Sequence, residues 1–131
     1  MQVATTRGEQ PWLCTVYYVA DEQRNLYWLS FPSRRHSQEL TENEKVAIAI
    51  AIKTDKPVIG VQAEGVAVKV VDVNVVATIM ELYNAKYDAG HQFYDNFVNG
   101  TNQHVMYKFT PKQYVIFDEL NFLGDGRQVV E

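Results

Sequence analysis

Eight consecutive residues, Lys45 to Ile52, read KVAIAIAI, and they limit the fold more than any other stretch. Side chains in a strand alternate between two faces. Val46, Ile48, Ile50 and Ile52 fall on one face, and Ala47, Ala49 and Ala51 on the other. Both faces are apolar, so both are expected to be covered. The large face suits a core. The alanine face admits close approach by a neighbouring element, a barrel wall, a partner subunit or a flat ligand ring.

Around this strand the chain alternates short apolar runs with polar turns. Gln2 to Thr6 predicts a first strand and Arg7 to Gln10 a turn. Trp12 to Ala20 predicts a second strand and Leu26 to Phe31 a third, rich in β-branched and aromatic residues. Their short connections predict a meander of adjacent antiparallel strands. Val58 to Val71 predicts a long strand, where Gly60 and Gly65 mark bulges or bends of the kind a closing barrel needs. Asp72 to Asp88 is the clearest helix. Val76, Ile79, Met80, Tyr83 and Tyr87 recur at helical spacing, and Asp72 or Asn74 can cap it. A shorter helix is expected over His91 to Val98, ended by Gly100. His104 to Thr110 and Tyr114 to Asp118 predict two strands separated by Pro111-Lys112, and Asn121 to Glu131 predicts a loop-like tail. Many strands and few helices predict a mostly β, α+β barrel with helices at its ends. No repeat or linker interrupts residues 1–131, which predicts a single domain.

Composition narrows the function. With 131 residues, 47% hydrophobic and 21% charged, the chain is of ordinary globular type. The net charge of -4 argues against nucleic acid as a partner. One cysteine, Cys14, precludes an internal disulfide and fits a reducing cytoplasm. No apolar run approaches the roughly 20 residues that span a bilayer, and no signal peptide is recognisable, so no membrane association is expected. Asn99-Gly100-Thr101 reads as a turn rather than a glycosylation site.

Against this acidic background, Arg34, Arg35 and His36 form a basic exception just after Phe31-Pro32-Ser33. Ser33 is the expected N-cap of a helix over Arg34 to Asn43. A helix start offers free N–H groups and partial positive charge, so these residues could hold a phosphate. A solvated basic turn that binds nothing is the other reading. There is no Ser-His-Asp set, no pair of catalytic carboxylates and no metal-ligand spacing. His36, His91 and His104 are scattered along the chain. Cys14 reads as a small hydrophobe first, with approach to a ligand as the alternative.

Taken together, PWLCTVYYV, LYWLS, SRRHSQEL and KVAIAI resemble the pyridoxamine 5'-phosphate oxidase-like family, from about Thr5 to Val71. The resemblance implies a six-stranded antiparallel split β-barrel that forms a homodimer, with FMN in each of two interface clefts. It places the family's phosphate-holding pair on Arg35 and His36, and the serine before that pair on Arg34. The flavin-contacting end of the third strand falls on Leu29 and Ser30. The flavin-lining segment of the second strand falls on Cys14 to Val19, with Cys14, Thr15 and Val16 at its heart. A phosphate-side glutamine corresponds to Gln62 once a bulge is allowed for, since the strict register puts Gly60 there.

Departures from the family shape the functional expectation. Val19 stands where the catalytic members carry a substrate-binding lysine, and the C-terminal GDGRQVVE has no counterpart of their Arg-x-His motif. The resemblance therefore implies FMN binding, with Arg34 replacing the charge lost at His36, rather than pyridoxamine phosphate oxidation. The expectation is an FMN-dependent oxidoreductase acting on a small-molecule substrate or electron donor. A flavin-binding or sensing module without turnover is an alternative. So is a barrel holding haem, with His36, His91 or His104 as the candidate axial ligand, or a deazaflavin.

Overall fold

The computed structural model describes residues 1–88 and 90–130. Eight strands and three helices follow the chain. They are β1 (Gln2–Arg7), β2 (Gln10–Thr15), β3 (Val19–Ala20), β4 (Leu26–Ser30), α1 (Arg35–Glu42), β5 (Lys45–Lys53), β6 (Ile59–Lys69), α2 (Val73–Tyr87), α3 (His91–Val98), β7 (Val105–Asp118) and β8 (Arg127–Val130).

All eight strands join one antiparallel sheet of order β2-β1-β5-β6-β7-β4-β3, with β8 added to β7. The two ends of this order, β2 and β3, are separated by three residues of chain, Val16 to Tyr18. The sheet must therefore curl until its edges nearly meet, which makes it a barrel split along one seam. The seam corrects the expected second strand. Trp12 to Ala20 does not run as one element, because its first half pairs with β1 and its last two residues pair with β4. The expected meander holds pair by pair, β1 with β2 and β3 with β4, both antiparallel, but it is broken at the seam, so β4 lies between β3 and β7 and not beside β2.

The core follows the alternation. Val46 and Ile48 of β5 are buried, with Val3, Trp28, Ala63 and Phe109 around them. Gly65 sits at a register shift between β6 and β7, where a Cβ would lie 2.2 Å from the carbonyl oxygen of Thr110. Pro111 lies opposite Gly65, beside this bulge. A bulge tolerates the missing N–H of proline, so β7 runs through Pro111 as one strand instead of two. The expected loop at the C-terminus also contains β8, paired from Phe117↔Arg127 to Tyr114↔Val130.

Helix α2 closes the second core. Asp72 caps it by accepting from the N–H groups of Asn74 and Val75. Ile79, Met80 and Tyr83 are buried against Val19, Tyr27 and Met106. The hydroxyl of Tyr87 both donates to the carbonyl of Tyr18 and accepts from its N–H, at 2.6 and 2.9 Å. Helix α2 is thus fastened to the seam. Among the described residues, no helix is long and apolar enough to cross a membrane.

Candidate functional site

The first turn of α1 carries the basic residues, and it begins one residue later than expected. Arg34, not Ser33, is the N-cap, and its side chain makes no capping bond. The cause is local: the Arg34 N–H donates to the Phe31 carbonyl at 3.1 Å, which takes Ser33 into the preceding turn. The helix start therefore has no side-chain cap and no acidic residue in its first turn. Both features leave its positive end open to an anion.

The three basic side chains have different surroundings. Arg34 is exposed, makes no ion pair among the described residues, and lies 5.9 Å from the Phe31 ring centre. Arg35 is half-buried. Its Nε donates to Glu39 at 2.8 Å, and its guanidinium stacks 4.4 Å from the Trp12 ring centre. Glu39 is 1% exposed and also accepts from the Thr5 hydroxyl at 2.6 Å. Burial alone would raise the Glu39 pKa, but these two hydrogen bonds and the charges of Arg35 and Arg7 outweigh it and hold the carboxylate ionised. His36 is buried, with Nε2 2.7 Å from the Ser30 hydroxyl. Burial lowers its pKa and the Arg34 charge lowers it further, so at neutral pH its ring is uncharged.

These groups line a cleft of about 520 Å³. Its walls are Cys14, Thr15 and Val16 at the end of β2, Leu29 and Ser30 at the end of β4, and Arg34, Arg35 and His36 at the start of α1. The fold thus brings together eight of the nine sequence-derived site residues. Cys14 is half-buried. Burial and the Glu39 charge raise its pKa, which keeps it a thiol rather than a nucleophile.

Gln62 is the ninth, and it lies elsewhere. It lines a separate hollow of about 390 Å³ on the outer sheet face, beside Gln2, Leu13, Ala47 and Ala49. It pairs across the ladder with Ala49. Within one chain it does not meet the basic cleft.

Three cleft residues lay outside the site segments named from the sequence, Trp12, Phe31 and His104, while Tyr17 falls within the Cys14 to Val19 segment. Trp12 and Phe31 flank the recognised segments, so proximity in sequence could have found them. His104 comes from the segment just before β7, and sequence alone showed it only as one of three scattered histidines, each a candidate axial ligand if the barrel held haem. Its ring lies 3.9 Å from that of Phe31. His91 is exposed at the start of α3.

A second cavity, also about 520 Å³, opens off this cleft. The two share Tyr17, Leu29 and His104, and the second continues between the rings of Tyr83, Tyr87 and Phe93. The site is therefore a two-compartment space, basic at one end and aromatic at the other.

A family model described as "Pyridoxamine 5'-phosphate oxidase" matches residues 1–116. The chain belongs to this family. The resemblance carried from about Thr5 to Val71 thus extends into β7. No curated protein sequence matches the chain. Solved structures share the fold at low identity. A conserved hypothetical protein of Mycobacterium tuberculosis superposes with a TM-score of 0.74 at 17% identity, covering 89% of this chain and 75% of that one. A Clostridium acetobutylicum protein of the pyridoxinephosphate oxidase family, related to general stress protein 26, gives 0.67 at 13% identity over 99% and 83%. The haem storage protein of Vibrio cholerae gives 0.68 at 16% identity over 89% and 83%.

Proposed function

We propose that this chain is an FMN-binding flavoprotein, an oxidoreductase of the pyridoxamine 5'-phosphate oxidase family built as one split-barrel domain. The observation that carries the reading is the convergence of Cys14, Thr15, Val16, Leu29, Ser30, Arg34, Arg35 and His36 on one cleft. The donor set suits the cofactor. Arg34 and the uncapped start of α1 offer unpaired positive charge to a phosphate, and Arg35 retains two guanidinium nitrogens beyond its bond to Glu39. Leu29 and Val16 offer an apolar bed to a ring system. When bound, FMN supplies the hydride and single-electron chemistry, and the protein's part is to hold and orient it. His36, neutral and bonded to Ser30, adds shape and a hydrogen bond there rather than charge.

The alanine face supports a homodimer. Ala47 and Ala51 are exposed in the single chain, with Leu13 beside them 62% exposed. An apolar face of small residues left open in this way suits a second copy. In such a dimer Gln62, on the same face, would reach the site from across the interface.

A second reading, haem, is supported by His104. Its Nδ1 bonds to Asn102, which leaves Nε2 free in the manner of an axial ligand. The absorption spectrum of the purified protein, before and after loading with FMN, separates the readings. Retained bands near about 450 and 370 nm establish the flavin. A sharp band near about 400 nm establishes haem. Oxidation of NADH or NADPH with a dye acceptor then decides between an enzyme and a binding module. A colourless protein that cannot be loaded refutes the flavin reading.

A further inference from the structure

The aromatic compartment is a site in its own right. Tyr17 and Tyr87 meet edge to face with ring centres 5.0 Å apart, and Tyr83 and Tyr87 lie 4.9 Å apart. Phe93 of α3 closes the outer side, 5.8 Å from His104. Ring faces and edges arranged in this way favour a planar aromatic guest.

The described residues lining this compartment include no lysine, arginine, aspartate or glutamate. Tyr83 is pushed up to about 12 by burial, with Tyr87 and Tyr17 adding to the shift, so its hydroxyl stays protonated. His104 is lowered by burial and by the Arg34 charge, so its ring is neutral. A carboxylate or phosphate entering here would lose its hydration, and Lys86, whose ammonium lies 5.2 Å from the Tyr87 ring centre, is already bonded to the Tyr18 carbonyl. The neighbouring cleft, with Arg34 and Arg35, offers what this compartment lacks.

The tautomer of His104 can be read from its neighbour. The backbone N–H of His104 donates to the Asn102 side chain at 2.9 Å, so the Asn102 atom must be the amide oxygen. The same oxygen bonds Nδ1 of the ring, and an oxygen there requires a proton on Nδ1. Nε2 is then a lone-pair acceptor, and no described residue donates to it. The Tyr87 hydroxyl is already committed to Tyr18.

We infer that the aromatic compartment binds an uncharged, planar aromatic molecule bearing a hydrogen-bond donor, of the phenol or hydroquinone class, with Nε2 of His104 as its acceptor. The inference rests on the flavin reading only in leaving the basic cleft to the cofactor. It gives His104 a specificity role, selecting a donor-bearing ring over the same ring without one.

Calorimetric titration with 2-naphthol and its methyl ether tests this, on protein with and without FMN. Naphthol should bind about tenfold more tightly than the ether, the worth of one buried hydrogen bond. His104→Phe should bring the two probes to equal affinity. Phe93→Ala, at a half-buried position of α3, should weaken both alike by about three- to tenfold. Equal binding of the two probes to the unaltered protein overturns the inference. So does a preference that survives His104→Phe, insensitivity of both probes to Phe93→Ala, or displacement of FMN by naphthol. Naphthol binding without any FMN retention refutes the flavin reading and leaves the compartment standing. FMN retention with no naphthol binding does the reverse.

Discussion

The Ser30 hydroxyl lies 2.7 Å from Nε2 of His36, and both side chains are buried, 7% exposed each. The bond ties the end of β4 to the first turn of α1, so the apolar and basic walls of the cleft are set against each other by one contact. A protonated His36 would have to carry its charge in that buried place, close to Arg34.

Stability should therefore fall on acidification. The unfolded chain takes up a proton on His36 near its ordinary value of 6.5, while the folded ring stays neutral to lower pH. The unfolded state then binds more protons, and stability rises with pH across that window. His104, also lowered, adds to the same slope. The midpoint of thermal unfolding should drop between about pH 7 and pH 5, and His36→Gln should flatten part of the drop. A level profile in the unaltered protein would remove this account of His36.

The two arginines should separate in function. Arg35→Ala leaves the buried Glu39 carboxylate with Thr5 as its remaining side-chain donor and should cost about 1–3 kcal/mol in urea unfolding, besides weakening FMN retention. Arg34→Ala, on an exposed and unpaired side chain, should change stability by about 0.5 kcal/mol or less. It should weaken FMN binding by about ten- to a hundredfold, as a charge-assisted hydrogen bond to phosphate would. Equal stability losses in the two variants would show that the Arg35–Glu39 pair is not structural. Unchanged FMN affinity in both would remove the phosphate assignment.

The alanine face offers a direct test of assembly. Ala47→Glu puts a carboxylate on an exposed position of β5, opposite Glu64 of β6. In a homodimer using this face, it should convert the sedimenting species to monomer while secondary structure is retained. A variant that stays dimeric places the interface elsewhere.

The β6 position that faces the bulge of β7 should be intolerant of any side chain. At Gly65 a Cβ would meet the Thr110 carbonyl at 2.2 Å and the Phe109 ring at 2.9 Å. Gly65→Ala should cost about 3 kcal/mol or more, because a ladder backbone has to move. Gly60→Ala meets the Ile50 carbonyl at 3.3 Å and should cost about 1 kcal/mol. Chemical denaturation of both variants checks the order, and a Gly65→Ala protein as stable as Gly60→Ala would refute it.

The elements legible in the sequence are those set by local chemistry. The period-two run of β5, the helical stripe of α2 with Asp72 as its cap, and the limits of α3 all depend on residues within a few positions of one another. So does the meeting of basic residues with a helix start. Family resemblance then connected Arg34 to His36 with Cys14 to Val16 and Leu29 to Ser30, a link that periodicity alone could not make.

Pairing over long sequence distances decided the rest. Whether Trp12 to Ala20 is one strand or two depends on β1 and β4, which take its halves to opposite edges of the sheet. Pro111 reads as a strand breaker until pairing with β6 places it opposite Gly65, beside the bulge at Lys112 of β7. His104 reads as a stray histidine until β7 pairs with β4 and brings it against Phe31. By itself the sequence determined which faces are apolar, where α2 and α3 start and which side chains could carry an anion. The tertiary structure alone decided which edges close and which distant side chains share a cavity, because those depend on register and curvature accumulated across the whole sheet.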